Sequence, residues 1–479
     1  MAGCTEWCEK SQKNKMQTNT LLSGITTLIL CGIFVGCSIF NVHIRYQTWT
    51  FNQPDSVILL IINLFYIAAI LGSFAGAILV NHIEKLLISR IYLMLIAIAS
   101  ILQIIVPKSI VGTAFARIFA GSAYGLAYLT VLVHGGEVLV KEFRGMVIAA
   151  INHVLFLGIL AHGTVSPVVL TDYDLESNRI IGIAGLTFAL LAALIGQFMT
   201  YESPIFLVQK GRDAEAIQSL MKLSLESRET IEIRDAYIDI KVMLQEDSFA
   251  SQSIFTDGNW RPLLLLSLGK IAAVLSFNAA VNQIQLIVVD QLYDLQYYSI
   301  SGAIILGIRF LLGIPFVYTV DIFGRRPQQA LSALLSGAVL TAMGIVYLVT
   351  DSVNPNVGGS IFLTYALVAC TGVTLVPDIH LSEAFPTQKK ALSIAVVQLV
   401  ENGVQILILS VTFSLDLTHS DNYGGILLSC GVPLMVIAVV LYVLLPETIK
   451  LTLRQSRAAF ARKESLYEMD PVSKDNLSY

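Results

Sequence analysis

The 479-residue sequence predicts an all-α membrane protein: twelve transmembrane helices in two six-helix repeats, joined by a helical linker. Three observations carry that expectation. Hydrophobic residues make up 55% of the chain, charged residues only 13%, and the mean hydropathy is +0.72. A soluble domain carries about 25% charged residues, so this chain has too little polar surface to cover a water-soluble core. Twelve apolar blocks, each near the ~20 residues needed to cross a bilayer, lie six on either side of one polar interval, 201–261. Polar residues of the loops also recur at a near-constant offset: 246 from Glu137 to Glu383, 245 from Glu202 to Glu447, and 240 from Asn81 to Asp321. Such an offset in three separate loops marks a duplicated six-span unit, which places a solute site between the halves near the bilayer midplane.

The chain opens with a polar tail, 1–21, whose Lys10, Lys13 and Lys15 do not fit a cleaved signal peptide. The first bundle, 22–200, holds spans near 22–42, 56–80, 87–106, 110–133, 146–168 and 179–200. The linker, 201–262, carries two apolar stripes at helical spacing, Ala214, Ile217, Leu220 and Met221, then Ile233, Tyr237, Ile240 and Leu244, which predict short amphipathic helices. The second bundle, 263–445, holds spans near 263–289, 298–320, 328–350, 358–382, 391–414 and 423–445. A tail, 446–479, follows; its Arg454, Arg457, Arg462 and Lys463 would either touch anionic lipid or be solvated.

Lysine and arginine set the orientation. They concentrate in the two tails, the linker and the loops holding Lys85 and Arg90, Lys141 and Arg144, Arg325 and Arg326, and Lys389 and Lys390; the opposite loops have only Arg45, Lys108 and Arg179. Both termini and the linker are therefore expected in the cytosol, with the plasma membrane as the expected location. Cys31, Cys37, Cys370 and Cys430 lie in apolar blocks as small packing residues, and Cys4 and Cys8 are either acylated or inert. The sequence shows no metal-ligand spacing, nucleophile–base pair or phosphate-binding glycine loop, so no enzyme activity and no cofactor are expected.

At Ala116-Arg117-Ile118-Phe119-Ala120-Gly121, Glu137 to Arg144-Gly145, Glu202-Ser203-Pro204, Asp321 to Pro327, Glu383 to Thr387 and Pro446-Glu447-Thr448, the chain resembles the sugar porter family of the major facilitator superfamily. In style it resembles insect facilitated glucose/trehalose transporter-like proteins. The resemblance covers nearly the whole chain. It implies a cytosolic gate in which arginines face carboxylates and helix ends, closed in one state and parted in the other. Arg117, Glu137, Arg144 and Glu202 would serve the first half; Asp321, Arg325, Arg326, Glu383 and Glu447 the second. The plainer alternative is that these charges only orient the spans, though carboxylates add nothing to that bias. In the first half the family's acid, glycine and paired bases become Asn81-His82-Ile83-Glu84-Lys85, which predicts a weaker latch there.

Departures from the family pattern bear on the solute. The usual paired glutamines of the seventh span are Ala272 and Ala273, leaving Asn278; Asn152 replaces a glutamine in the fifth span. Arg309, Asp378 and Glu401 stand where the family has asparagine, tryptophan and an amide. A charge at a helix centre costs about 2.5–3.5 kcal/mol on insertion scales, so these should face a cavity or one another. Arg309 with Glu401 is expected either as a fixed ion pair or as a solute contact. Asn278, Asn282 and Gln285 share a face of span seven; Gln398, Glu401, Asn402 and Gln405 share one of span eleven. The substrate-binding set is thus Asn152, Asn278, Asn282, Arg309, Asp378, Glu401 and Gln405, with interhelical hydrogen bonding as the alternative for the amides.

The expected function is alternating-access transport of a small polar solute, a sugar by resemblance, favouring facilitated diffusion. Expected partners are that solute and the lipid bilayer, not nucleic acid. Two alternatives stay open: a nutrient sensor or receptor on the same fold that has lost turnover, and a transporter of a charged or zwitterionic solute with proton coupling at Asp378 or Glu401. The first span, reading Val35-Gly36-Cys37-Ser38, lacks the acid usual in the family's proton symporters.

Overall fold

The computed structural model describes residues 21–22, 24–25, 28–29, 31–36, 53–172, 177–249, 255, 258–293, 298–350, 353–369, 371–415 and 421–461. The chain there is helical with no strands. The described residues between 21 and 36 are helical, followed by α1 (Asp55–Leu79), α2 (Lys85–Ile105), α3 (Ile110–Val138), α4 (Arg144–Asp172) and α5 (Ser177–Met199). The interval after them folds into α6 (Pro204–Gln209), α7 (Asp213–Leu223) and α8 (Ile231–Phe249). The second half comprises α9 (Trp260–Ser276), α10 (Ala279–Tyr293), α11 (Tyr298–Phe323), α12 (Arg325–Val349), α13 (Pro355–Ala369), α14 (Val376–Glu383), α15 (Thr387–Ser414) and α16 (Asp421–Leu444), and α17 (Leu453–Ala461) follows.

Ten stretches among the described residues are long and apolar enough to cross a bilayer, counting Trp260–Gln291 across its break. Two spans expected to be continuous are interrupted. The seventh breaks at Phe277 and Asn278 between α9 and α10, and the tenth breaks between α13 and α14, where Pro377 sits in the first turn. Proline cannot donate to a preceding turn but is at home at a helix start. The break and its freed carbonyls are tolerated because other residues of the bundle satisfy them.

Glycines set the tightest crossings. A Cβ on Gly125 would lie 1.9 Å from the Ala69 carbonyl oxygen, and one on Gly72 would lie 2.1 Å from that of Ser122, so α1 and α3 meet backbone to backbone. Within the first half α2 packs on α3 and α5; within the second, α12 packs on α16. The halves meet along two seams, α1 with α15 and α4 with α11. These are spans two with eleven and five with eight, so the repeat exchanges one seam for the other. Hydrogen bonds stitch the first seam from Asn63 to Ser410 (3.1 Å) through Ser73 to Gln398 (2.5 Å). On the second, His153 bonds the Phe310 carbonyl at 2.8 Å and stacks on its ring.

The linker helices cover their stripes, Ala214 apart: Ile233 is buried, and Ile217, Leu220, Met221, Tyr237, Ile240 and Leu244 are half-buried. In α7 the buried residues are Ala216, Ser219 and Leu223, while Ala214 is exposed. In α8, Ile233 and Met243 are buried; Met243 joins Ile205 of α6 and Leu453 of α17 in a small apolar cluster against which Ile240 and Leu244 pack. Arg454 and Arg457 pair with Glu246 (2.5 Å) and Asp247 (3.1 Å) of α8. Cys31 and Cys430 are buried. Cys4, Cys8, Cys37, Cys370, Arg45, Arg462, Lys463 and the three lysines of the opening tail lie outside the described residues.

Candidate functional site

Two constellations lie on the boundary between the halves. The deeper one is built around Lys270, ten residues into α9 and so about 15 Å from its start at ~1.5 Å per residue, near the middle of a ~30 Å hydrocarbon layer. Its ammonium lies 2.6 Å from Asp378 Oδ1 and 3.1 Å from Glu401 Oε2, and donates to Tyr128 Oη at 2.8 Å. Tyr128 in turn donates to Asp378 Oδ2, as does Asn152 Nδ2. An unpaired charge at this depth would cost several kcal/mol; here one cation and two carboxylates share hydrogen bonds, which is the condition for burying them.

The two carboxylates differ. Asp378 is 1% exposed and engaged at both oxygens by Lys270, Tyr128 and Asn152. Glu401 is 20% exposed at its side chain, and its hydrogen-bond donor among the described residues is Lys270. Asp378 is thus a saturated anchor and Glu401 the open member. Tyr128 and Asn152 belong to the first half, and Lys270, Asp378 and Glu401 to the second, so relative movement of the halves must remake these bonds.

Arg309 is elsewhere in the core and does not pair with Glu401 as expected. Its guanidinium donates to the carbonyls of Ser276 (3.4 Å) and Ala369 (3.5 Å) and lies 4.4 Å from the Phe277 ring centroid. Ser276 and Ala369 end α9 and α13, the two helices whose spans are broken. A cation there meets the negative ends of two helix dipoles and acceptors that the breaks leave open. Asn278 serves the same break: it donates to the carbonyls of Val274 and Leu275 and accepts from Val281 N–H at 3.0 Å. Asn282 donates to the Asn278 carbonyl (2.6 Å) and Gln405 to that of Phe277 (3.3 Å). These three amides thus hold backbone in this conformation.

The second constellation is an ion-pair network at the other end of the seams, among the residues expected to form the latch. In the second half Arg325 lies 2.6 Å from Glu383 and 3.0 Å from Asp321, and donates to Thr448 Oγ1 at 2.9 Å. Gly324, at φ +98°, makes a turn that favours glycine and presents the Arg325 and Arg326 N–H groups to Glu447 at 3.2 and 3.1 Å. In the first half Lys85 lies 3.4 Å from Glu137 and 3.8 Å from Glu202, and its N–H donates to Glu202 at 2.7 Å. Burial raises the Glu202 carboxyl above its ordinary pKa, opposed by the Lys85 charge. The halves are joined across the seams by Arg144 to Glu383 (3.3 Å), Met146 N–H to Asp321 (2.8 Å) and Asn81 to the Gln388 carbonyl (3.2 Å).

The Sugar (and other) transporter family matches residues 8–460. The chain belongs to the sugar transporter family. Among curated relatives, Arabidopsis thaliana sugar transporter ERD6-like 17 is 26% identical over 62% of this chain and 62% of its own length. The major myo-inositol transporter IolT of Bacillus subtilis is 26% identical over 72% and 73%, and the Saccharomyces cerevisiae hexose transporter HXT9 is 24% identical over 71% and 62%. The chain therefore spans about three fifths of the Arabidopsis and yeast proteins. The fold is that of the major facilitator superfamily: the proton:xylose symporter XylE bound to 6-bromo-6-deoxy-D-glucose superposes with a TM-score of 0.77, at 16% identity, over 93% of this chain and 99% of that one. The protein is accordingly a multi-pass membrane protein of a transporter family, not an enzyme.

One expectation needs correction beyond the Arg309–Glu401 pair. Arg117 cannot serve the latch, because it lies on α3 twenty residues before Glu137, about 30 Å away along the helix at the opposite end. In the first half Lys85, 240 residues before Arg325 in the chain, occupies the place equivalent to Arg325. Lys270 is the buried charge that sequence reasoning passed over, although a lysine inside the apolar block 263–289 gave the same signal as Arg309. Tyr128 gave none, since an aromatic in a span is ordinary packing.

Proposed function

We propose that this chain transports a small polar solute, in the first instance a sugar, by facilitated diffusion, with bundles 22–200 and 263–445 rocking about the two seams and 201–262 joining them beneath. Both termini lie in the cytosol of this reading, and the membrane is the plasma membrane. The single observation that carries it is the Tyr128–Asn152–Lys270–Asp378–Glu401 cluster, a polar site near mid-membrane contributed by both halves, where repeat transporters bind their solutes. Relatives named for hexose, myo-inositol and sugar transport support a polyhydroxylated solute. Asn152, Tyr128 and Glu401 would meet its hydroxyls, while Asn278, Asn282, Arg309 and Gln405 hold the broken helices in place. The latch at Arg144, Glu383, Asp321 and Asn81 closes the cytosolic side in one state.

Uptake of labelled glucose into proteoliposomes without an ion gradient tests this reading, beside Lys270→Met protein. Saturable uptake to equilibrium, lost in Lys270→Met, is the expected result. Uptake no faster than in protein-free vesicles sinks the glucose-facilitator reading, and saturable glucose binding without flux would then identify a sensor.

A second reading is favoured by the openness of Glu401. Protonating it would release Lys270 to Asp378 alone, so a charged or zwitterionic solute would move with a proton taken at Glu401. Uptake driven by an inward proton gradient in the wild type but not in Glu401→Gln separates this reading from the first.

A further inference from the structure

A groove on the outer face of the first bundle, between α2 and α5, takes no part in the site described above. It encloses about 290 Å³, with Leu93 and Leu190 on its walls and the small residues Ala97, Ala193 and Gly196 leaving the space between the helices open. Met94, Leu194 and Phe198 around it are exposed, so this is surface turned to the hydrocarbon layer. Arg90 stands at the groove's end nearest Lys85 of the latch, five residues into α2, about 7 Å from the helix start and so at headgroup depth. It is exposed, and its hydrogen-bond partner among the described residues is the neutral amide of Gln197, at 2.8 Å. An apolar channel with an uncompensated guanidinium at its interfacial end complements one kind of molecule in its surroundings, a lipid with an anionic head.

We propose that this groove binds an anionic glycerophospholipid from the leaflet on the latch side, its phosphate on Arg90 and one acyl chain lying between α2 and α5. A guanidinium suits phosphate because its planar N–H donors match two oxygens at once. A zwitterionic lipid brings a similar chain but offsets its phosphate with its own cation, so charge at Arg90 selects the anionic head. The site is independent of which solute the protein carries.

The test reconstitutes the full-length protein into vesicles of equal phosphatidylglycerol and phosphatidylcholine, re-extracts it and weighs the retained lipid by native mass spectrometry. Phosphatidylglycerol should be retained preferentially. Arg90→Gln should lower its retention by roughly fivefold, the factor expected for one basic residue at an anionic surface, and leave phosphatidylcholine unchanged. Arg90→Lys should keep much of the preference. Ala193→Phe, which fills the groove from an exposed position, should lower retention of both lipids. Wild-type lipid ratios in Arg90→Gln, undiminished retention in Ala193→Phe, or displacement of phosphatidylglycerol by inorganic phosphate alone would each overturn the proposal.

Discussion

The two latches descend from one repeated unit and solve the same problem with different chemistry. In the first half, a lysine meets Glu137 and Glu202 at 3.4 and 3.8 Å and lies 4.1 Å over the Phe206 ring. In the second, an arginine reaches Glu383, Asp321 and Thr448 at 2.6–3.0 Å. A lysine is a point charge that tolerates loose geometry, whereas a guanidinium is a planar fork whose directions fix its partners. The cross-seam contacts differ likewise. Asp321 accepts from Met146 N–H at the start of α4, where a negative charge meets the positive helix end. Asn81 instead donates to the carbonyl of Gln388 near the start of α15, an uncharged bond. The second half also has a buttress: Ser456 of α17 donates to Glu383, and Arg457 ties Asp247 of α8 to Thr387 at the start of α15. The duplicated halves have thus diverged into a firm latch and a softer one.

The largest expected effect that breaks this comparison is at Glu383. Glu383→Gln leaves Arg325 and Arg144 buried beside a neutral amide and should cost about 3–5 kcal/mol, seen as a lower thermal unfolding midpoint in detergent and faster labelling of cysteines placed along the latch. An unfolding midpoint equal to that of Glu137→Gln would show the two latches to be equally firm. Next come the exchanges of cation. Arg325→Lys should lose about 1.5–3 kcal/mol of charge-assisted hydrogen bonding, while Lys85→Arg should lose less than half of that, because its site imposes no fork. Equal losses in chemical denaturation would mean that charge alone, not geometry, distinguishes the halves.

The buttress is the third test. Arg457→Gln removes a partly buried pair and should cost about 1–2 kcal/mol; the expected readout is faster hydrogen exchange in α17 and the end of α8, with exchange in α6 and α7 unchanged. Smallest is Asn81→Asp, which restores the family acid. It removes the donor that Gln388 accepts from, so it should destabilise by about 1 kcal/mol in spite of matching Asp321. Any stabilisation by this variant would mean that the asparagine is a plain weakening and not a different bond.

Much of the fold was legible because membrane burial leaves a strong trace in sequence. Apolar blocks and the recurrence of Glu137 in Glu383 and of Glu202 in Glu447 follow from the cost of placing charge and backbone polarity in hydrocarbon. The broken spans were less legible: Pro377 marks one break, but Phe277-Asn278 carries no proline or glycine, and what opens the helix there is the Asn278 side chain turned back on its own backbone. Of the central charges Arg309, Asp378 and Glu401 were found and Lys270 was passed over, so the pairing of Asp378 and Glu401 with it was not legible. Helical spacing says which residues share a face of one helix; it says nothing about which face of another helix lies opposite.

The class of molecule, the duplication and the places where charge is buried are consequences of local composition against the bilayer. The partners of those charges depend on how the helices pack. Lys270 and Asp378 are 108 residues apart in the chain, and Tyr128 and Asp378 are 250 apart; their meeting depends on the breaks, the rotation of each helix and the glycine-controlled depth of each crossing. Arg309 could have met Glu401 by charge alone. It went instead to the carbonyl ends of α9 and α13, because those ends exist only once both spans are broken and packed together.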